Sequence, residues 1–353
     1  MKECKNFQKG RGAQFNPANC YLSLSYERMH AEAIDEWEEA PRKTTFFKET
    51  SKTIVNKVTS PDLGMAYSLN PYQGCEHGCI YCYARNSHQY WGFSAGQDFE
   101  QKIVVKENAP ALFRKFMEKK GRDVQPISIS GNTDCYQPVE RKLQLTRRIL
   151  ELALLYEQPV SMITKNALIL RDRDLLEALA EKNLVMVYLS ITGVDEQLRR
   201  CLEPRTASYR KRLQVLETLS AAGVPTGVMN APIIPGLNDA QMPAVLKAAA
   251  DAGALRAGYT LVRLNGAIGI IFEDWLKKTF PDRFDKIWHL IESCHAGQVN
   301  DSRWGHRMRG DGQMAATIAQ QFAIHCRKNQ LNVRPVVLDC SRFSPPGAQL
   351  RLF

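Results

Sequence analysis

The chain has 353 residues, 44% of them hydrophobic and 24% charged. That is material for one large α/β domain with appendages, or for two ordinary domains. The longest apolar stretches fall short of the roughly 20 residues that span a bilayer, and the first residues lack the apolar core of a secretion signal. A cytoplasmic protein without a membrane partner is therefore expected. The formal net charge of +10 admits an anionic partner such as nucleic acid without requiring one.

Residues 1–60 carry both signs of charge, including an acidic run at Asp35, Glu36, Glu38 and Glu39, and no sustained period. They read as an N-terminal extension packed onto the main domain. From about residue 65, short apolar runs alternate with amphipathic segments. Strands are expected at 66–70, 126–130, 160–164, 184–191, 226–231 and 258–264. Helices are expected at 109–120, 138–156, 172–182, 210–222 and 240–252. Pro138 has a fixed φ that suits a first helical turn, and Asp172 is a suitable cap for the helix after it. Gly223 with Pro225 suits a helix end. Such alternation implies parallel strands joined by right-handed crossovers. About six units make the expected fold an α/β, partial (β/α)6 TIM-like barrel over residues 61–268. Residues 269–353 read as a helical C-terminal region, clearest at 311–328, with a Pro-containing tail.

Ten cysteines occur in the chain. In a reducing compartment, scattered cysteines are small buried hydrophobes, whereas clustered ones bind metal or do redox chemistry. Only Cys75, Cys79 and Cys82 cluster, just after the first expected strand. Gly74 and Gly78 allow the backbone to bend around a bulky inorganic ligand. Three thiolates on a four-iron cluster leave one iron open to a substrate or cofactor. A structural zinc site completed by His77, His88 or a distant cysteine is the alternative, as is an electron-transfer cluster with a fourth cysteine.

The Cys-x3-Cys-x2-Cys spacing, with aromatic Tyr81 before the last cysteine, resembles the motif of the radical S-adenosylmethionine (SAM) superfamily. The resemblance implies a [4Fe–4S] cluster on Cys75, Cys79 and Cys82, with SAM bound at the open iron. It also implies a reductant such as flavodoxin or ferredoxin, and a 5′-deoxyadenosyl radical that takes hydrogen from a substrate. The likeness runs to about Leu264. Within the superfamily the chain is similar to spore photoproduct lyase and its "DNA repair photolyase"-like relatives, through residues 133–140, 164–165, 171–172, 203–205, 212–213 and 231–239.

That similarity implies Tyr81, Thr133, Asp134, Lys165, Ser190 and Arg205 around SAM, and Tyr81 and Tyr83 beside the radical chemistry. The lyase carries a hydrogen-donating cysteine close to the end of its second strand. Here Gly131 stands just ahead of that element, and Cys135, beyond Asp134, is the candidate donor. Asp134 also suits a helix cap before Pro138. The implied substrate is a nucleic acid, with a peptide or small molecule as the alternative. A non-enzymatic metal-binding protein is the third reading. Trp304 and His306 among Arg303, Arg307 and Arg309 suit base stacking and phosphate contact, or a loop whose arginines pair with acids.

Overall fold

The computed structural model describes residue 8, residues 10–21 and residues 43–345. The acidic run at 35–39 lies outside the described residues. The strands are β1 (Thr45–Glu49), β2 (Val55–Lys57), β3 (Tyr67–Leu69), β4 (Tyr72–Gln73), β5 (Lys102–Lys106), β6 (Ile127–Ile129), β7 (Val160–Thr164), β8 (Val185–Ser190), β9 (Thr226–Ile233) and β10 (Arg256–Leu261). The helices up to β9 are α1 (Gln97–Gln101), α2 (Ala109–Met117), α3 (Glu140–Leu143), α4 (Leu145–Leu155), α5 (Arg173–Ala180), α6 (Glu196–Leu202) and α7 (Tyr209–Ala221). After β9 come α8 (Met242–Asp251), α9 (Ala267–Thr279), α10 (Phe284–Ser293) and α11 (Gly312–Lys328).

The main sheet runs in the order β10-β9-β8-β7-β6-β3-β2. From β3 to β10 all neighbours are parallel, and only the edge strand β2 is antiparallel. All six expected strands form, within a few residues of the expected bounds. A second sheet, β1-β5-β4, was not expected. Its strands are two to five residues long and find their pairing only in the fold, so no period in the sequence announces them.

Two expected local features differ. The single helix over 138–156 is broken at Gln144, whose φ is +53°. The break brings the backbone N–H of Thr146 onto the Glu140 carboxylate at 3.1 Å, where Arg171 donates at 2.8 Å and Tyr72 also donates. Asp172 does not use its side chain as a helix cap. Its buried carboxylate accepts instead from Arg171 at 2.7 Å and from Arg147 and Tyr136 at 3.1 Å. Two cations within reach outcompete a cap's backbone N–H.

Alternation along the strands separates two faces. Ile127, Ile129, Val160, Met162, Val185, Val187 and Leu189 face the helices and form the main core with Ile149, Leu176, Leu216 and Leu246. The opposite face carries Ser128, Ser161, Ile163, Tyr188 and Met229, outside that core. Gly227 belongs there because a Cβ would lie 2.6 Å from the Tyr188 ring. At the β10 edge, the Asn332 side-chain amide donates to Ala257 O and accepts from Ala257 N, both at 2.9 Å. That pairing takes up backbone groups an edge strand would leave open. The tail beyond it reaches Asn183 and Tyr156 through the N–H groups of Asp339 and Ser344. It thus crosses the end of the sheet opposite the cysteine loop. Among the described residues no helix is long and apolar enough to cross a membrane.

Leu189 is fully buried in the central strand β8. Leu189→Ala is expected to lower unfolding free energy by about 2–5 kcal/mol through lost burial and a residual cavity; urea titration monitored by circular dichroism measures this.

Candidate active site

In a parallel α/β sheet, functional groups gather in the loops after the carboxyl ends of the strands. The cysteine loop lies there, between β4 and the 3-10 helix Tyr83–Trp91. Gly74 and Gly78 have φ of +78° and +68°. A Cβ at either would come within 2.9 Å of its neighbour, Lys102 O for Gly74 and Glu100 Oε2 for Gly78. Both glycines are required twice, for backbone sign and for space.

The loop is pinned from the backbone. Cys75 N donates to Phe99 O at 2.8 Å and Ile80 N to Leu202 O at 3.0 Å. Arg85 donates from Nε (3.0 Å) and Nη2 (2.8 Å) to the Cys79 carbonyl, and pairs with Glu100 at 2.6 Å. Beneath it, Ile80 and Tyr81 pack in a second apolar cluster with Leu202, Ile268, Phe272 and Trp275. Helix α9 is thereby a buttress for the cysteine loop.

Cys75 and Cys79 are buried and Cys82 is half-buried. Burial pushes all three thiols up, Cys79 to about 12, although the Lys165 charge pulls Cys79 the other way. Such thiols ionise when a cation takes them up, as a metal centre does. Among the described residues, no three His, Cys, Asp or Glu side chains converge as ligands of one metal ion. Of the two histidines open to the zinc alternative, His77 has both ring nitrogens engaged and His88 lies in an apolar setting. His77 has Nδ1 3.4 Å from Asp134 and Nε2 3.0 Å from the Asn166 amide. His88 is buried against Phe93 and Phe99, both ring nitrogens without a polar partner, and burial lowers its pKa to about 4.

The SAM candidates divide into those that meet the loop and those spent on structure. Lys165 is half-buried, with Nζ 5.9 Å from the Tyr81 ring centroid, and makes no ion pair among the described residues. Burial disfavours its charge, but Cys79 and Glu203 raise its pKa above the ordinary value. Arg205 donates its backbone N–H to His77 O at 3.2 Å, and its Nη2 lies 3.8 Å from Glu76. Its Nη1 and Glu76 Oε2 are buried polar atoms without a partner. Orphans of this kind fit a ligand that brings both a donor and an acceptor.

Asp134 accepts from Thr164 Oγ1, Lys165 N and Tyr136 N at 2.8, 2.8 and 2.9 Å. Burial would raise its pKa, but His77 and these N–H donors hold it down at about 2. Thr133 turns its hydroxyl to Tyr72 O at 2.7 Å, and its backbone N–H to Asn70. Ser190 is buried, with Oγ 3.4 Å from Ala231 O and its carbonyl held by Arg212 at 2.8 Å. Tyr83 is exposed, its hydroxyl on Gly131 O. Cys135 is fully buried and packs in the main core, not in the apolar cluster that holds Cys79 and Tyr81.

Sequence reasoning noted residues 203–205 and 212–213 but gave no role to the group that organises this end of the sheet. Glu203 is fully buried and accepts from Tyr81, from Arg212 and, at 2.8 Å, from Thr192. Burial would raise its pKa, but Arg212, Lys165 and the Tyr81 hydroxyl bring it to about 2. The signal was present, an acid before Pro204 with Arg212 one helix away, but only the fold joins it to Tyr81.

A family model described as the radical SAM superfamily matches residues 69–249. The chain belongs to the radical SAM superfamily. An uncharacterized protein of Mycobacterium tuberculosis (strain ATCC 25618 / H37Rv) is 32% identical over 241 residues, 67% of this chain and 71% of the relative. One of Methanocaldococcus jannaschii is 29% identical over 245 residues, 69% of this chain and 87% of the relative. Among solved structures, spore photoproduct lyase complexed with dinucleoside spore photoproduct superposes with a TM-score of 0.60 at 16% identity, covering 80% of this chain and 79% of the lyase. A double mutant of that lyase with bound SAM (AdoMet) and the dinucleoside gives 0.58 at 15% identity, over the same shares. That likeness is one of fold. As a radical SAM protein the chain is an enzyme, of a superfamily that works with a [4Fe–4S] cluster and SAM.

Arg212→Met leaves the Glu203 carboxylate buried without its cation, and is expected to cost about 3–5 kcal/mol of stability. Glu203 is depressed from an ordinary value of 4.5 to about 2. Its share of stability is therefore present above pH 4.5 and lost as pH falls toward 2. Denaturant titrations of wild type and Glu203→Gln across pH 2–6 should differ in slope in that window; parallel curves would refute the assignment.

Proposed function

We propose that Cys75, Cys79 and Cys82 hold a [4Fe–4S] cluster and that SAM binds beside it, in a partial (β/α)6 barrel formed by residues 61–268. Residues 1–60 are then an N-terminal extension and 269–353 a helical C-terminal region, in a cytoplasmic enzyme reduced by flavodoxin or ferredoxin. The observation that carries the proposal is the site's composition: three thiols on one glycine-shaped loop, with half-buried Lys165 beside them and, among the described residues, in no ion pair. When bound, cluster and SAM together supply a 5′-deoxyadenosyl radical that abstracts hydrogen from the substrate.

The protein's own part is to bind, orient and exclude water. Lys165 offers its ammonium to an anionic group, and the SAM carboxylate is the group proposed. Glu76 and Arg205, with one unpartnered buried atom each, supply an acceptor and a donor. Asp134 is held ionised and locked between β6 and β7, so it keeps His77 and the Lys165 backbone in place. Thr133 and Ser190 shape the pocket through backbone contacts. Glu203 holds the Tyr81 hydroxyl, which fixes that ring across from Lys165. Tyr83, exposed at the mouth, is better placed to return hydrogen to a substrate than Cys135, whose fully buried thiol suits packing.

A nucleic acid is the proposed substrate. Trp304 is exposed, with the Arg307 guanidinium 4.0 Å from its ring centroid. An exposed indole of this kind is a stacking platform. The lyase of similar fold is one whose complex holds a dinucleoside photoproduct. A peptide or small molecule is the second reading, favoured by the pairing of Arg303 with Asp301 and Asp311, and of Arg307 with Asp62. Those acids cancel much of the loop's charge.

The test is anaerobic reconstitution with iron and sulfide, then dithionite and SAM, with chromatography for 5′-deoxyadenosine. Wild type is expected to form it and Cys79→Ala to form none. A reconstituted wild type that carries a full cluster and leaves SAM intact overturns the proposal. Binding of a 20-mer single-stranded DNA should weaken about tenfold in Trp304→Ala, in line with the loss of one stacked base. Unchanged or absent binding favours the second reading.

A further inference from the structure

The segment Gly10–Tyr21 crosses the outer side of the cysteine loop, in close contact along its length. A Cβ on Gly12 would lie 1.8 Å from Gly78 O, so the two backbones touch where the loop turns toward Cys79. Ala13 is fully buried in the same apolar cluster as Cys79, Ile80 and Tyr81. Further along, a Cβ on Gly96 would lie 2.0 Å from Phe15 O, and Ser94 Oγ donates to Pro17 O at 2.7 Å. Asn16 exchanges hydrogen bonds with Asp98 at 2.9 and 3.1 Å. Asn19 donates to Gln89 O at 2.8 Å and Phe93 O at 3.2 Å.

One carboxylate joins this segment to the loop. Glu100 accepts from Ala13 N at 2.8 Å and Gly12 N at 3.2 Å. The same carboxylate pairs with Arg85, whose guanidinium donates twice to the Cys79 carbonyl. Glu100 and Arg85 are both fully buried. A buried pair of this kind costs desolvation and is weak evidence for stability. What it supplies here is position: the Cys79 carbonyl, the Arg85 fork, the Glu100 carboxylate and two segment amides form one unbroken chain of hydrogen bonds.

We infer that Gly10–Tyr21 is a strap that sets and shields the cysteine loop from outside, and that Glu100 is the positioning residue through which it acts on Cys79. The inference rests on the proposed function only for the identity of what Cys79 binds. The strap's work, holding the loop closed around Cys79, is a property of the protein before any metal is present.

The test uses the full chain as metal-free protein under anaerobic conditions. Iodoacetamide alkylation of each cysteine is followed by mass spectrometry in wild type, Gly12→Val, Glu100→Gln and the double variant Asn16→Ala/Asn19→Ala. Gly12→Val forces the strap off Gly78, and Glu100→Gln weakens the shared anchor. The double variant releases only the strap's outer contacts and guards against misfolding of the other two. Alkylation of Cys79 is expected to rise about tenfold in each folded variant, as local opening exposes it. Cys135 and Cys294, buried elsewhere, should keep wild-type rates. Iron and sulfide uptake should fall at least about twofold.

Cys79 rates unchanged in the folded variants would overturn the inference. So would a rise shared equally by Cys135 and Cys294, which would mark general loosening. The alkylation readout needs neither iron nor SAM, so a failure of the proposed radical chemistry leaves this result intact, and the reverse also holds.

Discussion

An irregular loop that carries three thiols into a protein interior has no ladder of backbone hydrogen bonds to hold it. Its carbonyls and N–H groups must still find partners, because each one left buried and unpaired is costly. Two buried Arg–Glu pairs meet that need here. Arg85 with Glu100 holds the loop at the Cys79 carbonyl, and Arg212 with Glu203 holds Tyr81 and the end of β8. Helix α9 and its neighbours supply apolar support beneath, but apolar packing is non-directional. Direction comes from the two guanidinium forks, which are planar and specific in their geometry.

The same pairs set the electrostatics. A carboxylate tied to a buried arginine contributes little net field, so Glu100 and Glu203 can stand close to the thiols without repelling a thiolate strongly. Asp134 is balanced in turn by His77 and by backbone donors. Once these acids are matched, Lys165 remains without an ion pair among the described residues, its Nζ near the Tyr81 ring, and Arg205 keeps one unpartnered buried N–H group. With Glu100, Glu203 and Asp134 matched, what is left for a ligand is the Lys165 ammonium, one Arg205 donor and one Glu76 acceptor, a set suited to a zwitterionic ligand. Cysteines whose thiols are raised by burial complete the logic, since they favour a metal-bound thiolate over a free one.

Much of this was legible before the fold. Strand–helix alternation has a period that one sequence displays, so all six parallel strands were found. The cysteine spacing was local and needed no tertiary information. The misses are of another kind. β1, β4 and β5 are short and pair only with one another. The break at Gln144 follows from Glu140 being drawn inward to Tyr72 and Arg171, contacts 68 and 31 residues apart. Asp172 looked like a cap because a cap is what sequence proximity offers, while its arginine partners were invisible as such. Glu203 stood in a stretch shared with the lyase group but was given no role, and Glu100 was passed over, because the work of a single acid shows only once its buried partner is known.

The loop around Trp304 shows why charge counting alone leaves such a segment open. Three arginines within seven residues suit either a basic patch or a loop whose arginines pair with acids, and the fold shows the pairing. In the fold, Arg303 and Arg307 are each bound by aspartates, and Arg309 lies over the Tyr259 ring at 4.6 Å. Paired arginines contribute little long-range attraction, yet they hold their carbon skeletons and neighbouring rings rigid. The consequence is a surface whose affinity would come from flat aromatic contact, with modest dependence on salt, rather than from counterion release. On the proposed nucleic-acid reading, the substrate lays one base on Trp304 while another reaches the site. An extended single strand can do that, and a stacked duplex can do it only by unstacking the reacting base first.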